Sequence, residues 1–272
     1  MSVIEYTNVY KGEFRVKRTW IAVICAVVLA ALLAAGAILM QNRHRPVMVC
    51  GDYALSNTEF GYYYWSEFFY FYEAYGEYLA ETVDFSRPLS EQAYDADRSW
   101  EDYLLEEAMR TVRDTMAMVL QAEADGFTMP QDYESTYQQI LVNFAAAARE
   151  GGYKTTEAYL KASYGKSATM ESFEQYLRNA HLAAAYADRL LEACVPADEA
   201  ARAYFQARQA EYLALYELDP EDESTWLELA RQDLQNETYQ NAFLTICSRY
   251  SFRVNEDAVK LTPPANLYQS EN

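Results

Sequence analysis

SNTEFGYYYWSEFFYFYEAYGEYLAETV, residues 56–83, is the stretch around which the chain is organised. Between Phe60 and Tyr78 most positions are Phe, Tyr or Trp. A run of about 25 residues without Pro is too long for one strand, so a helix is predicted. Its start is marked by Ser56 and Glu59, spaced as a capping box in which each side chain accepts from a backbone N–H of the first turn.

At about 100° per residue, Glu59, Ser66, Glu73, Glu77 and Glu81 share one narrow polar stripe. Phe60, Tyr64, Phe68, Phe71, Tyr75 and Leu79 lie roughly opposite and are predicted core. A helix apolar over so wide an arc has to be wrapped by others. Tyr63 and Tyr70 fall on the polar stripe itself, and Tyr62 and Phe69 flank it. One reading is that Tyr tolerates a half-wet position because its hydroxyl stays hydrated. The other makes Tyr62, Tyr63, Phe69 and Tyr70 an aromatic surface for other polypeptides.

The formal charge is −19 and 15% of residues are aromatic. Nucleic-acid affinity comes mainly from phosphate neutralisation, so no nucleic-acid partner is expected. A chain of 272 residues has room for one large domain or two small ones.

Residues 1–18 form a short tail carrying Lys11, Arg15, Lys17 and Arg18. Trp20 to Met40 then reads WIAVICAVVLAALLAAGAILM, without a charge. As a helix it is about 31 Å long, enough to cross a bilayer. It exceeds the apolar core of a signal peptide, about 7–15 residues, which favours an uncleaved anchor. A lipid anchor is disfavoured because the only Cys in the segment, Cys25, sits near its start. Four basic residues precede the span, and only Arg43 and Arg45 follow it closely. From Pro46 onward 16 basic residues face 39 acidic ones. The basic residues set the orientation: a cytoplasmic N-terminus, a single pass through residues 19–40, and an extracytoplasmic C-terminal portion.

Three cysteines lie beyond the span, Cys50, Cys194 and Cys247, which is no disulfide framework for a domain of this size. Cys247 shares an apolar face with Phe243, Ile246 and Tyr250 and is predicted to be a buried free thiol. One bridge stays open outside the cytosol.

After a link at 41–46, residues 47–55, VMVCGDYAL, predict a β-hairpin turned at Gly51-Asp52. The aromatic helix follows, and a loop over 84–98 comes next. A second helix starts after Ser99 and carries Leu105, Met109, Val112, Met116 and Val119 at helical spacing, with Gly126 closing it. Further helices are predicted at about 131–149, 156–164, 169–194, 197–209 and 224–250. The fifth helix presents Phe173, Leu177, Ala184 and Leu191 on one face. Residues 212–218, YLALYEL, are read as a strand or an extended link, and SFRVN, 251–255, as a closing strand. A tail from 262 to 272 has no periodicity and is expected to be disordered. The fold class is therefore mainly α: a membrane-anchored domain of about seven helices with a small β element formed by N- and C-terminal strands.

In order, Val47–Leu55, Asn57–Phe60, Trp100–Ala108, Ala124–Phe127, Lys161–Gly165, Glu171–Arg178 and Val195–Phe205 follow a familiar succession. It runs from V-x-V-x-G-D-x-x-L-S and N-x-E-F through W-x-D-x-L-L-E-E-A, A-x-x-x-G-F, K-A-S-Y-G and E-x-F-E-Q-Y-L-R to V-P-A-D-E-A-A-R-A-Y-F. The set resembles the chaperone module of SurA/PrsA-type extracytoplasmic foldases and covers most of residues 47–255. The resemblance implies one such module over 47–261, whose chain ends meet, and clients that are unfolded or exported polypeptides. In that family a parvulin-type prolyl isomerase domain interrupts or adjoins the module. Here the expected insertion point, Tyr212–Asp222, leaves no room for one. The chain holds only His44 and His181, the latter expected to be structural. No isomerase or other enzymatic activity is expected.

Other chemistry is weakly signalled. Asp95, Asp97, Ser99 and Glu106 copy part of a calcium-loop spacing, but Trp100 stands where the turn needs glycine. Asn236-Glu237-Thr238 matches a glycosylation sequon, a short pattern that says little on a helix. No cofactor or metal is expected. The function implied is a membrane-tethered holdase that binds unfolded segments through aromatic surface. The alternative is a cell-envelope scaffold or assembly partner using the same fold for a specific contact, with a homodimer among its forms.

Overall fold

The computed structural model describes residues 45–79, 82–84, 86–216 and 222–261. The N-terminal tail, the apolar span 19–40 and the C-terminal tail 262–272 lie outside these residues. Among the described residues no helix is long and apolar enough to cross a membrane.

The hairpin forms as its sequence predicts. Strands β1 (Met48–Cys50) and β2 (Tyr53–Leu55) pair antiparallel, with Met48 opposite Leu55. Gly51 turns the corner at φ +57°, a conformation that costs glycine little. The strand of SFRVN, β3 (Arg253–Val254), adds to the other edge of β1, giving the order β2-β1-β3. Asn255 donates its N–H to the Val47 carbonyl at 2.8 Å, so the two ends of the domain are stitched together.

Seven α-helices follow among the described residues: α1 (Asn57–Leu79), α2 (Trp100–Ala124), α3 (Gln131–Glu150), α4 (Thr156–Tyr164), α5 (Met170–Ala193), α6 (Asp198–Tyr216) and α7 (Glu223–Arg249). The Ser56–Glu59 capping box is formed, with the Ser56 N–H donating to Glu59 at 3.0 Å and the Glu59 N–H to Ser56 at 3.2 Å. Ser99 and Asp102 build a second box on α2. That helix closes with Gly126 at φ +65°, the left-handed residue that ends many helices. The segment 212–216, expected to be extended, instead prolongs α6. Tyr212 packs into a small cluster with Phe205, Trp226 and Ala230 of the α6–α7 hairpin, and this burial favours the helical register.

The main core joins Phe60, Tyr64, Trp65 and Phe68 of α1 to Leu104, Ala108, Val112 and Met116 of α2, Ala183 and Tyr186 of α5, and Ile246 of α7. On α2 the buried line begins at Leu104 and Ala108, while the predicted Leu105 and Met109 are only half-buried. On α5, Ala184 is exposed, and its neighbours Ala183 and Ala185 are buried instead. A second cluster holds Tyr62, Tyr137, Leu160, Phe173 and Leu177 between α1, α3, α4 and α5.

Candidate functional site

The two halves of α1 have different surroundings. Its first three turns are enclosed by α2 on one side and by α4 and α5 on the other. Beyond Phe68 it outruns α4 and α5, and only α2 and the loop before it stay alongside. Exposure follows: Phe69 is 37%, Tyr70 66%, Tyr72 51% and Tyr75 49% accessible. Tyr75, predicted core from its place opposite the polar stripe, is therefore a surface residue, because α4 and α5 do not cover it and α2 leaves its ring on the border of an open cleft.

Of the four predicted surface aromatics, Tyr62 and Tyr63 are corrected. Tyr62 is fully buried. Its ring packs on Tyr164 at 5.2 Å and Phe173 at 5.4 Å. Its hydroxyl donates to the Thr169 carbonyl at 3.2 Å and lies 2.8 Å from Ser172 Oγ. Tyr63 is 4% exposed and meets Tyr176 edge-on at 4.8 Å. The stripe that carries them is covered by the N-terminal end of α5, and protein atoms, not water, satisfy Tyr62. Burial raises the hydroxyl pKa of both residues. Phe69 and Tyr70 are exposed as expected.

Tyr70 borders a cleft between α1 and α2 of about 370 Å³. Tyr70, Phe71 and Tyr75 form one wall, and Tyr94, Trp100 and Tyr103 form the other, with Glu67 and Glu107 among the lining residues. The second wall is rigidly built. Tyr94 stacks on Tyr103 with centroids 4.3 Å apart and meets Trp100 edge-on at 4.7 Å. Phe71 reaches across to Trp100 at 5.4 Å. The loop bearing Tyr94 is tied down at both ends. Gln92 Nε2 donates to the Asp84 carbonyl at 2.8 Å, and the Tyr94 N–H donates to the Arg98 carbonyl at 2.8 Å. Arg98 lies over the Tyr94 ring at 5.2 Å while bonding Asp95 and Glu106. Two acids of the calcium-like spacing are thus engaged with a guanidinium.

Electrostatically the cleft is acidic and aromatic. Glu67 accepts from Thr111 Oγ1 at 2.7 Å, and Glu107 pairs with Arg110. Burial, then the charge of Glu107, pushes the Tyr103 hydroxyl pKa up. The groups present are aromatic rings, the Leu104 side chain and two carboxylates, which offer apolar contact and negative charge.

Tyr94, Trp100 and Tyr103 were absent from the predicted site. In the sequence Trp100 reads as the opening residue of a helix and as the residue that breaks the calcium-loop spacing, and Tyr94 reads as part of a loop. The available signal was the clustering of Tyr94, Trp100 and Tyr103 around the Ser99 cap, next in sequence to an aromatic helix.

Elsewhere, His181 is held by its own helix, with Nδ1 2.8 Å from the Leu177 carbonyl. Cys50, Cys194 and Cys247 are free thiols, Cys50 buried and the other two half-buried. Among the described residues no group of three or more His, Cys, Asp or Glu is arranged to hold a metal ion.

No protein-family model, no curated protein and no solved structure matches the chain.

Proposed function

We propose that this protein is a membrane-tethered, extracytoplasmic holdase-like chaperone that binds unfolded or exported polypeptides through aromatic surface, without isomerase catalysis. The observation that carries this reading is the cleft at the far end of α1, where Tyr70, Phe71 and Tyr75 face Tyr94, Trp100 and Tyr103. Exposed aromatic surface of this kind is costly to leave in water and marks binding sites. Rings supply large contact area at low entropy cost, and their faces tolerate varied sequence, which suits a binder of many clients.

Two further features support the reading. The order of sequence motifs resembles that of the SurA/PrsA-type module, and the resemblance implies chain ends that meet, as the N- and C-terminal strands do in one sheet. The apolar span 19–40 would hold the domain at a membrane, and the acidic exterior would keep a client-loaded domain soluble.

The scaffold reading draws on a different part of the molecule. The α6–α7 hairpin has its own small core, and Leu215 and Tyr216 are exposed near the end of α6. A dedicated partner would engage that hairpin and leave the cleft free.

The deciding experiment is suppression of aggregation of a chemically unfolded reporter, comparing wild type with the double variant Tyr70→Ser, Tyr75→Ser. Wild type is expected to suppress aggregation. The variant should lose that activity while keeping its melting temperature, since both rings are largely exposed. Full activity in the variant would remove the cleft as the client site.

A further inference from the structure

The cleft carries a chemical preference that goes beyond aromatic stickiness. We infer that it selects client segments bearing a lysine or arginine flanked by apolar residues. This rests on the polypeptide-binding reading and adds the class of side chain that the cleft admits.

Three observations converge. First, the walls are ring faces, whose quadrupole presents negative potential to a cation approaching within about 6 Å of the centroid. Tyr70 and Tyr75 supply such rings at the accessible side. Second, a carboxylate without an ionic partner lies among them. Glu67 lines the cleft and takes a hydrogen bond from the Thr111 hydroxyl, but among the described residues no lysine or arginine lies within ion-pair distance of it. Glu107, the other acid of the lining, is already paired with Arg110.

Third, the protein builds the same recognition from its own side chains, one instance lying at the edge of this cluster. Arg98 lies over the Tyr94 ring at 5.2 Å, and its guanidinium is held from the sides by Asp95 at 2.6 Å and Glu106 at 2.6 Å. Ring below and carboxylate beside is the pattern that Tyr70, Tyr75 and Glu67 offer to an outside cation.

Size and field agree with this occupant. A cleft of about 370 Å³ is at the lower end of ligand-sized pockets, which suits a side chain with its neighbours rather than a folded surface. The excess of 39 acidic over 16 basic residues from Pro46 onward steers cationic segments toward the domain and repels anionic ones. A bare apolar segment gains the ring contacts but leaves Glu67 partly desolvated and unpaired. A cationic segment satisfies both.

The test uses the full chain in phosphatidylcholine nanodiscs, with empty nanodiscs as blank. Two short, unstructured, fluorescently labelled peptides are compared by anisotropy. One alternates Lys with Phe and Ser, and the other has every Lys replaced by Gln. The lysine peptide is expected to bind about tenfold more tightly at low salt. That preference should shrink as salt is added. Glu67→Gln keeps the acceptor for Thr111 and is expected to bring the lysine peptide to the level of the glutamine peptide, with melting temperature as the fold control. Equal binding of both peptides by wild type, or an unchanged preference in Glu67→Gln, overturns the inference and leaves the holdase reading standing. Binding of neither peptide, together with no suppression of aggregation, overturns both. Competition by free phosphocholine as strong as by the lysine peptide would reassign the cleft to a quaternary-ammonium headgroup and overturn the inference.

Discussion

Asn57 and Lys260, 203 positions apart, hold each other by two hydrogen bonds of 2.7 Å. The Asn57 side-chain amide donates to the Lys260 carbonyl, and its oxygen accepts the Lys260 N–H. The first residue of α1 is thus latched to the segment that follows β3, next to the β1–β3 pair that joins the domain's two ends. Asn57→Ala removes both bonds and is expected to cost about 1–2 kcal/mol, at the usual net worth of such bonds. Asn57→Asp keeps the acceptor and should cost less. Denaturant unfolding of the three proteins checks the order, and equal stability would show that the latch is dispensable.

Tyr62 and Tyr63 are adjacent, both buried, and opposite in the fate of their hydroxyls. Tyr62 Oη is bonded to Thr169 and Ser172, whereas Tyr63 Oη is buried without a hydrogen-bond partner among the described residues. Tyr62→Phe should therefore destabilise by about 1 kcal/mol, while Tyr63→Phe should be neutral or stabilise by up to about 1 kcal/mol. Truncating either to Ser should cost about 3–5 kcal/mol, as for other buried aromatics. A loss of equal size in both Phe variants would contradict the difference between the two hydroxyls.

The buried tyrosines also set an alkaline limit. Burial raises the Tyr164 hydroxyl to about 12, and Tyr62, Tyr63 and Tyr176 are raised from 10.0 by the same cause. Above 10 the unfolded chain releases protons that the folded chain retains, so unfolding becomes progressively easier. The contribution is complete below pH 10 and should be lost as pH climbs toward 12. Circular dichroism and tyrosinate absorbance followed together should show unfolding and ionisation in that window as one event. Full ionisation of all tyrosines with helicity intact would refute it.

Cys247 should be a slow nucleophile. Burial first, then the carboxylate of Asp114 beside it, pushes its thiol from 9.0 to about 11. A rise of that size lowers the thiolate fraction about a hundredfold at mildly alkaline pH. Alkylation with mass-spectrometric mapping is expected to label denatured protein readily at Cys247 and native protein very slowly. Rapid native labelling would show that the site opens.

Topology can be read with protease. If the apolar span 19–40 anchors the chain with its basic tail inside, protease added to intact cells should digest the region after Arg45. Protection of that region in intact cells, with digestion after lysis, would reverse the orientation.

Much of the architecture was legible along the chain because local rules set it. The caps at Ser56 and Ser99, the turn at Gly51 and the stop at Gly126 each involve residues a few positions apart. Helical periodicity marks α2 and α5 as amphipathic: Val112, Met116, Val119, Phe173 and Leu177 are buried as it predicts, while at Leu105, Met109 and Ala184 a neighbouring residue is buried instead. Residues 212–216 were misread because an aromatic, leucine-rich pentapeptide suits strand and helix alike, and contact with Trp226 and Phe205 decides between them.

By itself the sequence determined which segments nucleate helices, where all but α6 start and stop, and that α1 is too aromatic to stand alone. It also carried the acidic balance and the absence of room for an inserted domain between α6 and α7. Only the tertiary structure decided which rings of α1 are surface. That depends on how far along its axis the neighbouring helices extend, a quantity with no periodic signature. Tyr62 and Tyr63 lie where α4 and α5 cover the helix, and Tyr70 and Tyr75 lie where they do not. The same helix is therefore enclosed at one end and, with Tyr94, Trp100 and Tyr103 brought against it across the loop, borders an open cleft at the other.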